Sequence, residues 1–234
     1  MSRILVPTSG PSDWRRLLAD PEKHWVRGRS AFETAVSWEH AQKTSRGIPV
    51  EIAAALDEHA DLAGARLLFA IPEHKVKLVG PGKASQTDVW ALLRSGDGLV
   101  SMAVEGKAGE SFASTVGEWL KEASDAKKVR LEYLCQVLQI SHPPALTLRY
   151  QLFHRTASAL IEADRFGADH AVMVVQSFQE DPHSWDDFSA FCRVLGATPQ
   201  PGRLSELPRA SGPRLYLGWV SCQAGSDDVV AGVV

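Results

Sequence analysis

Two acids and a lysine on neighbouring stretches of this 234-residue chain have the types and the spacing for metal-assisted chemistry. One stretch reads Ser85-Gln86-Thr87-Asp88-Val89-Trp90, and beyond the turn Ser95-Gly96-Asp97-Gly98 a second reads Val104-Glu105-Gly106-Lys107. Strand side chains alternate between faces, so Ser101, Ala103, Glu105 and Lys107 share one side while Val100, Met102 and Val104 pack on the other. If Asp88 sits opposite Glu105, two carboxylates converge and repel each other unless a divalent cation lies between them. Magnesium takes hard oxygen ligands and could accept Asp88, Glu105 and the backbone carbonyl of Gly106, keeping its other positions for water and a phosphate oxygen; manganese could replace it. Lys107 would then orient or deprotonate the attacking water. This is the chemistry of phosphodiester hydrolysis.

The elements that must position these residues are legible as patterns. A strand at 4–6, a turn at Ser9-Gly10-Pro11 and helices over about 12–19, 30–43 and 49–63 come first. The pattern then changes to strands at 67–71 and 73–78, the turn Gly80-Pro81-Gly82, and strands at 88–93 and 99–107, which together read as a β-meander. Thr115 and Glu118 have capping-box spacing, and Leu131, Leu134, Cys135 and Leu138 form the apolar stripe of a further helix. A long helix over about 148–166 leads into the continuously apolar stretch 171–175, the pattern of a central strand covered on both faces and reached by a crossover. A helix at 185–195, a last strand at 215–222 and a loose tail over 224–234 complete the chain. The expected fold is α/β, a mixed central sheet flanked by helices in one domain spanning 1–234.

Composition narrows the function classes. With 44% hydrophobic and 23% charged residues the chain can bury a full core. Its net charge of −3 argues against broad electrostatic attachment to nucleic acid or anionic membrane, so any polyanion contact must be local. No apolar run approaches the roughly 20 residues that cross a bilayer. The N-terminal stretch lacks the pattern of a secretory signal. Cys135, Cys192 and Cys222 stand far apart with neither a CxxC nor a nearby His pair, so neither a disulfide framework nor a zinc site is written here, and a cytoplasmic location is expected. Gly80-Pro81-Gly82-Lys83 lacks the first glycine and the hydroxyl residue of a phosphate loop, and reads as a turn. GxSxG, HExxH and GxGxxG are absent.

Asp88, about seventeen residues of hairpin, and Glu105-Gly106-Lys107 closing an apolar strand resemble the PD-(D/E)XK, or restriction endonuclease-like, nuclease superfamily, over roughly 67–175. The stretch is also similar to an uncharacterised bacterial family within it that carries Ser-Gln-x-Asp and Glu-Gly-Lys signatures. The resemblance implies an αβββαβ core, here about 30–180 with embellishments at both ends. It also implies magnesium bound by Asp88 and Glu105, a lysine that assists the nucleophilic water, and nucleic acid as partner. Thr87 stands where the superfamily usually has proline.

Several residues surround this nucleus as secondary candidates. Glu73-His74-Lys75, preceded by Pro72, is a second copy of the motif; Glu105 is preferred because its strand follows an apolar run and has an aspartate on the strand beside it. Glu73 then either borders the site as a further acid or belongs to a solvated strand face. Glu39 lies at the edge of the buried stripe of its helix, a place from which superfamily members often add a glutamate to the metal site; reaching solvent is the alternative, and Glu51 is a weaker option. Glu110 could approach the metal through water. Gln151, Arg155, Ser158, Glu162 and Arg165 recur at helical spacing, a pattern that a solvated face explains, although Gln151 and Arg155 stand where the superfamily's crossover helix can approach the site. His154 is expected to pack or hydrogen-bond.

The expected function is therefore metal-dependent hydrolysis of nucleic acid, DNA before RNA. The alternative is a catalytically silent nuclease-like fold that binds protein or nucleic acid. The oligomeric state is open, a homodimer included.

Overall fold

Residues 171–175 alternate between two cores: Val172 and Val174 enter one, while Ala171, Met173 and Val175 enter the other. A strand apolar on both sides needs a layer of helices over each face of its sheet. The computed structural model, which describes residues 2–80, 82–96, 98–121, 124–141 and 143–225, has that architecture. It is α/β, with a six-stranded mixed sheet of order β1-β2-β3-β4-β6-β5.

β1 (Arg66–Val76), β2 (Ser85–Ser95) and β3 (Gly98–Lys107) form an antiparallel meander. β4 (His170–Ser177) lies parallel to β3, β6 (Arg214–Ser221) parallel to β4, and β5 (Leu204–Leu207) antiparallel at the edge. The short α1 (Pro21–His24) precedes α2 (Ser30–Ala41) and α3 (Val50–Asp57), and these last two cover one face through Trp38, Ile52 and Leu56. On the other face lie α5 (Asp125–Leu138), the crossover helix α6 (Tyr150–Phe166) and α7 (Pro182–Val194), with Leu134, Phe153 and Phe188 in the core. α4 (Val116–Leu120) begins at the expected capping box, the Thr115 hydroxyl accepting from the Glu118 amide and the Glu118 carboxylate from the Thr115 amide.

Departures from the sequence reading have local causes. The strand expected at 4–6 is a single bridge, Ile4 to Ala70, and the helix expected at 12–19 is a 3-10 turn over Pro11–Leu17. The two strands expected at 67–71 and 73–78 are one, with a bulge between Leu67 and Phe69. α3 stops at Asp57, whose carboxylate accepts from Gly64 N at 2.9 Å and Arg46 Nη1 at 2.7 Å and so holds the following turn. β5 was not expected; four residues carry too little periodicity to be recognised. The chain beyond residue 180 completes the sheet, since β6 lies inside it. Pro81, Asp97 and residues 226–234, on which two expected turns and the tail fall, lie outside the described residues.

The polar row of α6 is not a solvated face. Arg155, Ser158 and Glu162 are buried, and Glu162 pairs with Arg165 at 2.8 Å and approaches His74 at 3.3 Å. Helical spacing shows which residues share a face, but not whether that face meets water.

Candidate functional site

Pro72 pairs with Val89 and His74 with Thr87, while Val89 pairs with Val104. Carried one residue along, this register sets Glu73, Asp88 and Glu105 abreast on three adjacent strands. The β2–β3 ladder ends at Val89 and Val104; past it the Asp88 side chain takes over, Oδ2 accepting from Gly106 N at 2.7 Å.

Glu105 is the centre of the cluster. Its Oε1 accepts from Lys107 Nζ at 2.7 Å and Gln151 Nε2 at 2.6 Å, and its Oε2 from Arg155 Nε at 2.6 Å. Glu105, Lys107 and Arg155 are 3%, 5% and 8% exposed, so these are buried ion pairs and not surface ones. Burial pushes the Glu105 carboxyl up, but the charges of Lys107 and Arg155 and their hydrogen bonds prevail and hold it down at about 2. The Lys107 ammonium also lies 4.8 Å from the Phe112 ring centroid, and Gln151 Oε1 accepts from Ala113 N at 3.1 Å, which fastens the loop after β3 to the site.

The other two acids lean the opposite way. Burial, then the negative charges of Glu105 and Glu73, push Asp88 well above the usual carboxylate range against the pull of Arg155 and Lys107. Burial likewise raises Glu73 to about 7, although Gln86 Nε2 donates to it at 2.5 Å and Arg155 and Lys75 pull it down. Glu73 also adopts φ 53°, the left-handed region that non-glycine residues seldom enter. Three acids thus face two buried cations, and the Glu73–Asp88 end is short of positive charge.

A carboxyl raised on folding binds its proton more tightly in the folded state, so between about 4.5 and 7 the Glu73 term lowers stability as pH rises. Glu73→Gln is expected to remove that slope, making the variant gain on the wild type by about 2–3 kcal/mol across the window. Urea unfolding at a series of pH values measures it, and parallel curves would contradict the assignment.

The remaining candidates divide. Gln151 and Arg155 join the cluster and Glu73 stands in its row. Glu39 does not: its Oε1 accepts from Trp14 Nε1 at 2.8 Å and holds the 3-10 turn against α2. Glu110 caps α2, Oε1 accepting from Ser30 N at 3.1 Å while Oε2 accepts from Ala108 N at 2.7 Å. Glu51 accepts from Gln223 N at 3.3 Å. His154, which burial and then the Arg155 charge keep well below its ordinary pKa, hydrogen-bonds Ser85 Oγ at 2.9 Å and packs on Tyr150. Ser85 Oγ also lies 2.8 Å from Ser158 Oγ and 3.4 Å from Arg155 Nη1. Ser85 and Gln86 were legible in the Ser-Gln-x-Asp signature but were given no role there, although Gln86, two residues before Asp88, shares its strand face.

Gly106 meets a second constraint. A β-carbon there would stand 2.3 Å from Thr34 Oγ1 and 3.3 Å from Asp88 Oδ2, because α2 packs directly on this backbone. Thr34 is short and buried, so it cannot swing aside. Gly106→Ala is expected to cost about 1–3 kcal/mol in urea unfolding.

Among the described residues, no group of three or more His, Cys, Asp or Glu is arranged to hold a metal ion. Both Glu105 oxygens are engaged by protein donors. Carboxylate oxygens such as those of Asp88 are nonetheless the donor type that a hard cation takes, and the negative charges of Glu105 and Glu73 add to the burial that raises Asp88. No helix among the described residues is long and apolar enough to cross a membrane. No curated protein and no solved structure matches the chain. A family model described as a domain of unknown function (DUF6946) matches residues 7–224, and the chain belongs to that family.

Proposed function

We propose that this DUF6946 chain hydrolyses phosphodiester bonds of nucleic acid, DNA before RNA, with magnesium or manganese, and that Asp88, Glu105 and Lys107 carry the reaction. The observation that carries the reading is the row Glu73, Asp88, Glu105 with the Lys107 ammonium 2.7 Å from Glu105 on the same strand. The order of helix, three-strand meander, crossover helix and parallel strand agrees with the αβββαβ core that the resemblance to the PD-(D/E)XK superfamily implies.

Asp88, Glu105 and the Gly106 carbonyl would hold the ion, which when bound supplies a water of lowered pKa and a counter-charge for phosphate. Lys107, an ammonium paired with Glu105 at 2.7 Å, would orient that water. Arg155 and Gln151 keep Glu105 ionised and fixed in direction. Glu73, raised to about 7, is poised to exchange a proton near neutral pH. Three free cysteines suit a reducing compartment such as the cytoplasm.

A second reading, a nuclease-like fold that binds without cutting, draws on one observation: Glu105 already has protein donors on both oxygens. Titration with manganese separates the two. Hydrolysis predicts DNA cleavage that EDTA stops, and a stabilisation of about 2.7 kcal/mol at a hundredfold excess over Kd, which is roughly 5–10 °C in Tm. An unmoved Tm with intact DNA leaves the binding fold.

A further inference from the structure

Beside the acid cluster lies a recess of about 530 Å³ between the β1–β2 turn, the first turn of α5 and the start of α6. One wall is aromatic. Trp119 and Tyr150 are stacked with centroids 3.9 Å apart and planes 9° from parallel, and His154 follows 5.1 Å from Tyr150. The other side is basic, formed by Lys83, Lys127 and Arg130, and no Asp or Glu is among the described residues that line the recess.

Arg130 is buried, and its guanidinium donates to the carbonyl oxygens of Val79, Lys83 and Gly80, at 3.3, 2.8 and 3.2 Å. These bonds engage three of its five N–H groups and order the turn, but leave its charge without an acid among the described residues. Lys127 Nζ lies 5.7 Å from the Trp119 ring centroid and donates to the Trp119 carbonyl oxygen at 2.8 Å. The Tyr150 hydroxyl is buried with the Arg130 guanidinium near it, although no hydrogen bond of good geometry joins them. A recess with aromatic side chains on one wall and basic side chains opposite suits a planar base attached to a phosphate.

The recess and the acids share a wall. Ser85 and His154 line the recess, and Arg155, whose Nη1 is 3.4 Å from Ser85 Oγ, binds Glu105 through its Nε at 2.6 Å. We infer that the recess receives an unpaired nucleotide of a single strand, its base against Trp119 and Tyr150 and its phosphate against Lys83, Lys127 and Arg130, next to the bond presented to the acids. This rests on the hydrolytic reading for its purpose, though not for its chemistry. Bases in a duplex are already stacked and cannot use the aromatic wall, so a single strand, or an end or loop that offers one, is the substrate class.

The test is binding in EDTA, followed by fluorescence anisotropy. The probes are a labelled oligothymidylate, the same strand paired to its complement, and thymidine monophosphate as competitor. The expected result is preference for the single strand, weak competition by the monophosphate, and about tenfold weaker binding by Trp119→Ala. Lys83→Gln and Lys127→Gln should each lower the slope of log K against log salt by about 0.7. These two variants keep the test decisive should Trp119→Ala fail to fold. Equal binding of the duplex, equal affinity for the monophosphate, or lysine variants with the wild-type salt slope would each overturn the inference. Because metal is absent, the outcome is separate from cleavage: a chain that cuts nothing but binds as described keeps the recess and loses hydrolysis, and the converse result does the reverse.

Discussion

Lys107→Met is expected to lower metal-dependent cleavage by about 10²–10⁴-fold, the range for losing a group that positions the nucleophile. The side chain is buried and paired with Glu105 at 2.7 Å, so its removal also has a structural cost. Glu105 keeps Arg155 and Gln151, which limits that cost to about 1–3 kcal/mol. Metal binding distinguishes the two effects. Taking a cation away from the acids leaves the site more negative, so the manganese-induced rise in Tm should be retained or enlarged while cleavage is lost. A Lys107→Met protein that cuts at the wild-type rate would remove Lys107 from the mechanism. One that loses both the manganese shift and cleavage would make it a structural residue.

Arg155→Ala is expected to have the largest effect on stability, about 3–5 kcal/mol, because it strips a buried carboxylate of one of its two cations. For a domain of this length that is roughly 10 °C in Tm. The penalty should fall mainly on the stranded Glu105 charge, so adding Glu105→Gln to Arg155→Ala should recover part of it, with a coupling of about 1–3 kcal/mol in a double-mutant cycle. The pH dependence has a definite sign. Glu105 is held at about 2 in the folded state, below its ordinary 4.5, so its contribution is complete above the unfolded value and is lost as pH falls through the folded one. Without Arg155 the folded value rises and this acid-labile stabilisation shrinks. Urea unfolding of the four proteins at neutral and acid pH measures both claims; strict additivity would place Arg155 and Glu105 in separate energetic units.

Much of the scaffold was legible locally. The meander, the capping box at Thr115 and the doubly covered β4 each depend on residues within a few positions of one another, the range over which alternation, capping and apolar runs operate. Glu105 and Lys107 were legible for the same reason, since a spacing of two on a strand forces a common face. The neighbours of this pair were less so. Glu73 read as a competing copy of the motif, because nothing near it states that β1 lies beside β2 in the register that sets it abreast of Asp88. Gln151 and Arg155 were visible as one helix face, but the face of α6 that meets the sheet is chosen by packing over β3. Glu39 and Glu110 looked like possible ligands until their partners, the Trp14 indole and the amide at the start of α2, came from distant parts of the chain.

The amino-acid sequence by itself determined the strand and helix periods, the polar residues that must share a face, and the acid, acid and lysine types that the proposed phosphodiester chemistry uses. Only the tertiary structure decided which acids stand together, which cations neutralise Glu105 and leave Asp88 and Glu73 raised, and which wall holds the basic and aromatic recess. The division follows from range. Backbone sterics and side-chain period act between neighbours, whereas burial and Coulomb interaction act through space, and their partners here come from residues as far apart as Glu73 and Arg155.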